Sequence, residues 1–223
     1  MPQYRTAWPP LTENIKITLA ILVAFFLAGF EFTGFVRDHM LVSSREVLVE
    51  YEIWTVLTYA FWHFDFGHLL FNGIALWMFG GELDQRWGTQ KFWTVSLLSA
   101  LGGGIAVVLT QFVFGGSAPT LGYSGAVMGL VGAFCWYAWD RTLYFFFFPM
   151  SGKSLLGFFL IIDFARVFIG GAPVSIAAHM GGLIVGLLAA TGWWRPKKAK
   201  RAYKQWKRRR DFKSHTGGGS RWN

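Results

Sequence analysis

The chain has 223 residues, of which 53% are hydrophobic and 19% aromatic, with a mean hydropathy of +0.37. Charged residues make up only 15%, against about a quarter in soluble domains, which excludes an ordinary soluble fold and fits a polytopic membrane protein. The net charge of +9 comes largely from the basic run between Lys197 and Lys213. Beside a membrane helix such a run reads as a topology signal and a contact for anionic lipid, so no nucleic-acid partner is expected. The single cysteine, Cys135, excludes an intrachain disulfide and a zinc site built from several cysteines. Its place between Phe134 and Trp136 is a packing position.

Apolar runs near the ~20 residues needed to cross the hydrocarbon predict six spans, at 15–36, 66–81, 92–114, 121–139, 155–171 and 175–194. The first is too long for the core of a signal peptide and is read as a retained helix. Between the first two lies a polar, aromatic connection, 37–65, in which Tyr51, Trp54, Tyr59, Phe61 and Trp62 predict a segment lying along the membrane interface. The expected fold is all-α: a short N-terminal segment 1–14, a six-helix membrane domain 15–194, and a basic tail 195–223. Arg5, Lys16, Arg86, Lys91, Arg141, Lys153 and the tail fall on one face, so the positive-inside rule puts both termini in the cytoplasm.

The fourth span opens with Gly122-Tyr123-Ser124-Gly125, and Gly125 and Gly129 are four apart. By itself this reads first as a small-residue packing face and only weakly as a presented serine nucleophile. The other polar residues tip the balance. Ser124 lies sixteen positions before Asp140 and His179 sixteen before Arg195, at the inner ends of their spans. At about 1.5 Å per residue both side chains stand ~24 Å above the inner boundary, at one level near the outer surface. Gly182 and Gly186 follow His179 at the spacing of Gly125 and Gly129, so matched glycine faces would let the two helices touch. On the second span His68 and Asn72 share a face, while His63 points elsewhere. A base beside a serine, with donors for an oxyanion, is what acyl transfer needs. The alternatives are structural: Ser124 as a helix cap, His179 as an interhelical hydrogen-bonder, and His68 and Asn72 as ties to the preceding loop.

These residues resemble the rhomboid intramembrane serine proteases over roughly 54–190. His63, His68 and Asn72 match the family's second-helix motif, Gly122-Tyr123-Ser124-Gly125 its GxSG motif, and Ala178-His179 with Gly182 and Gly186 its AHxxGxxxG motif. The resemblance implies a cofactor-free endopeptidase of the bacterial plasma membrane that cuts transmembrane protein substrates. Ser124 would be nucleophile, His179 base, and His68 and Asn72 oxyanion donors, with His63, Gly122, Tyr123, Gly125, Met128 and Gly182 in support. Two positions depart from the family pattern. Thr55 follows Trp54 where many relatives have arginine, and Met128 stands where many have a tyrosine that stacks on the histidine.

The resemblance implies a Ser–His dyad, and no acidic residue accompanies His179 in sequence. Asp163 and Arg166, three apart on the fifth span, are read as a local pair, with substrate gating or cavity lining as the alternative, and Asp163 is not expected as a third catalytic member. No His-Glu-x-x-His motif is present for a zinc protease, and Asp163 is the one intramembrane aspartate where an aspartyl protease needs two. Two rivals stand beside the protease. One is a silent rhomboid relative that binds or escorts membrane clients; the other is a small transporter, which would spread polar residues through the full membrane thickness.

Overall fold

The computed structural model describes residues 9–145, 148–168 and 173–192. The basic tail and its expected lipid contact lie outside the described residues. The chain divides into two units, Met1–Ala190 and Thr191–Asn223, and the first carries the features described below.

Helix α1 spans Glu13–Glu31, with the Thr12 hydroxyl accepting from the Ile15 N–H at its start. It is not the single rod expected for 15–36. The chain bends at Phe32 and resumes as α2, Thr33–His39. There the Thr33 hydroxyl donates to the Gly29 carbonyl at 2.7 Å, a side-chain bond that competes with the helical ladder. Short helices α3 (Ser44–Leu48) and α4 (Thr55–Thr58) follow, the latter running into a 3-10 turn at Tyr59–Phe61. The second apolar run then extends further than predicted. It forms α5 (Phe66–Ala75), a π turn (Leu76–Gly80) and α6 (Gly81–Trp87).

Helices α7 (Thr89–Phe114) and α8 (Ser124–Tyr137) make the centre of the bundle. After α8 comes a correction to the all-α expectation. Thr142–Phe145 (β1) and Phe148–Ser151 (β2) form an antiparallel pair in which Leu143 faces Met150 and Tyr144 faces Pro149. Leu143, Phe145 and Met150 pack on the core while Thr142 and Tyr144 are exposed. The two-residue alternation of β1 belongs to a strand and is hidden in a run that is largely apolar. Helices α9 (Gly152–Phe168) and α10 (Pro173–Thr191) complete the described bundle.

Helices α1 and α7 are each long and apolar enough to cross a membrane, and α8 and α10 are shorter apolar helices. Large apolar side chains point outward, among them Leu27, Phe30, Phe71, Phe112 and Ile161. Such a surface is stable against hydrocarbon and not against water.

At the end of the bundle away from the glycine motifs, Asn14 ties three helices together. Its amide donates to Asp84 at 2.8 Å and to Thr89 at 3.0 Å, and its oxygen accepts from the Trp93 indole at 3.0 Å. Asn14 and Asp84 are both buried. Asn14→Leu leaves a buried carboxylate and an indole N–H short of partners, and is expected to lower unfolding free energy by about 1–3 kcal/mol. Unfolding in mixed micelles measures the change.

Candidate active site

The backbone before α8 is set by two contacts at Gly122, one of which an added side chain would block. Gly122 has φ +120, a conformation open to glycine, and its N–H donates to the Tyr59 carbonyl at 3.0 Å. A Cβ there would stand 2.6 Å from Cε1 of His68. The 115–123 connection is also held by an antiparallel bridge between Val42 and Thr120. Ser124 is thereby the first residue of α8, with Tyr123 at the cap position and no side-chain cap bond. Its hydroxyl is turned elsewhere.

That direction is towards α10. A Cβ on Gly182 would fall on the main chain of Gly125, and one on Gly186 would fall on Gly129 and on the Ser99 hydroxyl. The two backbones are therefore in contact along the paired glycines, as small-residue faces allow. Across this contact 2.8 Å separates Ser124 Oγ from His179 Nε2, a hydrogen-bond distance.

The other ring nitrogen corrects the sequence reading. Nδ1 of His179 lies 2.6 Å from Oδ1 of Asp163, so an acidic residue does accompany the histidine. It arrives from α9, with its residue only 5% exposed. The local pair expected between Asp163 and Arg166 cannot be described, because the Arg166 side chain lies outside the described residues; the carboxylate's observed partner is the imidazole.

Helix α5 brings in the remaining polar residues. Asp65 caps it, accepting from the His68 N–H at 2.7 Å, and this cap was missed in sequence although an aspartate three residues before His68 is its ordinary signal. The His63 and His68 rings lie 5.0 Å apart at an interplanar angle of 63°. His63, in the connection before α5, accepts from the Tyr123 N–H through Nε2 at 3.5 Å. Burial pushes its pKa down to about 4, with His68 adding to the effect, so it is neutral at physiological pH. Asn72 is buried and its Nδ2 has no hydrogen-bond partner among the described residues. Met128, one turn into α8, is buried.

The 37–65 connection is less uniform than an interfacial segment. Tyr51 and Trp54 are exposed, but Tyr59 and Trp62 are buried. The Tyr59 hydroxyl donates to the Ala100 carbonyl at 2.8 Å and its ring end lies beneath Gly103 and Gly125. It is a support for the serine loop that sequence placed at the membrane surface. At the Trp54-Thr55 departure the indole donates to the His39 carbonyl at 2.8 Å and the Thr55 hydroxyl to the Glu52 carbonyl at 2.7 Å.

A helical bundle with an apolar outer face and a partly buried serine–imidazole contact between two glycine-packed helices defines a class of membrane protein in outline. The comparison with known families makes it specific: the family model described as Rhomboid domain matches residues 50–196, and the chain belongs to the rhomboid family. It is 35% identical over 144 residues to the rhomboid protease GlpG of Yersinia pestis (strain Pestoides F), covering 62% of this chain and 48% of that protein. It is 34% identical over 188 residues to the rhomboid protease GlpG of Yersinia enterocolitica serotype O:8, covering 81% of this chain and 62% of the relative. The chain thus spans about half to three-fifths of the length of these relatives.

Proposed function

We propose that the chain is an intramembrane serine endopeptidase that hydrolyses peptide bonds in or next to transmembrane segments of other proteins. The 2.8 Å contact between Ser124 Oγ and His179 Nε2 carries this reading. A serine hydroxyl becomes a useful nucleophile when a neighbouring base takes its proton, and neutral imidazole is suited to that. Oγ attacks the scissile carbonyl, the proton passes to Nε2, and His179 returns it to the leaving amine. Water then hydrolyses the acyl-Ser124 ester with His179 again as base.

The tetrahedral intermediates need donors aimed at the oxyanion. The Ser124 main-chain N–H, in the first turn of α8, has no intrahelical partner to satisfy it. Asn72 supports the same role through a buried amide nitrogen whose donors are unspent among the described residues. His68, whose ring lies against Gly122, is the third donor in this reading. No cofactor is called for.

The proposal includes six spans, with both termini in the cytoplasm of a bacterium and the site near the outer face of its plasma membrane. It also keeps a membrane domain over 15–194, with a cytoplasmic segment before it and a basic tail on anionic lipid after it. The purified, reconstituted protein is expected to form a covalent fluorophosphonate adduct, mapped to Ser124 by peptide mass spectrometry. A silent client-binding relative forms none, so an unlabelled Ser124 would favour that rival.

A further inference from the structure

The carboxylate on His179 has no part in a two-residue mechanism, yet its placement is specific. Asp163 stands five residues before the end of α9 and His179 six after the start of α10. At about 1.5 Å per residue the two lie at nearly one depth on consecutive helices. Both are nearly buried, with side chains 7% and 12% exposed. Oδ1 of Asp163 is 2.6 Å from Nδ1, and its Oδ2 has no partner among the described residues. The imidazole is therefore held at both nitrogens, by Asp163 on one side and Ser124 on the other. The other carboxylate–imidazole contact among the described residues, Glu52 with His39, has the same 2.6 Å length, but that ring is nearly half exposed.

We infer that Asp163 is a positioning residue for the base, so that this chain works with a serine–histidine–aspartate triad spread over α8, α10 and α9. The inference rests on the protease reading above and adds a residue to it. An ionised carboxylate can only accept, so the Nδ1 atom facing it carries the ring proton and donates. A neutral imidazole has one such proton, which leaves the Nε2 lone pair directed at the Ser124 hydroxyl. Without Asp163 the ring is free to place its proton on Nε2, the tautomer that cannot accept from serine. When the imidazolium forms during attack, the same carboxylate stabilises it without itself taking the proton.

Two measurements test this. In reconstituted protein, Asp163→Asn is expected to lower kcat on a single-pass membrane substrate by roughly 10⁴-fold with KM changed less than about twofold, and to slow fluorophosphonate labelling of Ser124 in parallel. Asp163→Glu is expected to recover part of the loss. A strut that only joins α9 to α10 would lower stability and leave turnover per folded molecule unchanged. Wild-type kcat in folded Asp163→Asn overturns the inference. The second measurement needs no variant at position 163: 15N spectra of the wild-type histidines, with His179 assigned by its loss in His179→Gln, are expected to show the Nδ1–H tautomer. Nε2–H in the neutral ring overturns the inference whether or not the protein cleaves anything. Absence of any cleavage or labelling in the wild type would sink the protease reading instead.

Discussion

Ser124→Ala is expected to stop substrate cleavage in proteoliposomes, with kcat falling by roughly 10⁴–10⁶-fold, while the protein remains inserted and folded. The size of the loss follows from the chemistry: without Oγ there is no acyl intermediate, and what survives is the smaller contribution of binding and oxyanion donors to direct attack by water. The small cost in stability follows from the surroundings. Ser124 makes one described side-chain hydrogen bond, to His179, and is only partly buried. Losing such a bond costs about 1 kcal/mol, and the glycine contact between α8 and α10 does not involve the hydroxyl. Cleavage of a single-pass model substrate, read beside a melting curve, checks both halves. Product formed at the wild-type rate would falsify the assignment of the nucleophile.

Gly182→Ala is expected to be nearly as damaging to activity, for a reason that has nothing to do with chemistry at that residue. The added methyl would lie on the main chain of Gly125, and backbone cannot swing aside as a long side chain can. The helices must separate or slide. Overpacking of this kind costs typically 1–3 kcal/mol, and a displacement of about 1 Å between nucleophile and base can cost 10²-fold in rate. A drop in kcat of at least about 10²-fold is expected together with lowered thermal stability. Unchanged melting and turnover would mean that the two helices are not in backbone contact in the membrane.

The two substitutions separate what is local from what is assembled. Composition and apolar run length were enough for a membrane-embedded helical protein, because the hydrocarbon leaves the backbone few alternatives to internal hydrogen bonding. They were weaker on boundaries. The bend at Phe32 and the extension of the second run to Trp87 depend on single side-chain bonds and a π turn, which hydropathy averages away. The hairpin at Thr142–Ser151 was missed because both of its faces are largely apolar, leaving no alternation to read. Tyr59 and Trp62 were placed at the interface on residue type alone, although aromatic rings serve equally as core.

Within the site, the level of Ser124 and His179 was legible because rise per residue turns position along a helix into depth. The same ruler applied to α9 and α10 would have put Asp163 at the level of His179. It was not decisive, since depth says nothing about which face of a helix a side chain leaves from or which helix is its neighbour. The sequence by itself determined a glycine-packed helical membrane protein with a serine and a histidine at one depth. Only the tertiary structure decided that α9 lies close enough to α10 for a carboxylate to meet the ring at 2.6 Å. Contacts between side chains of different helices depend on packing angle and rotation about the helix axis, and neither is encoded in the spacing of residues along one helix.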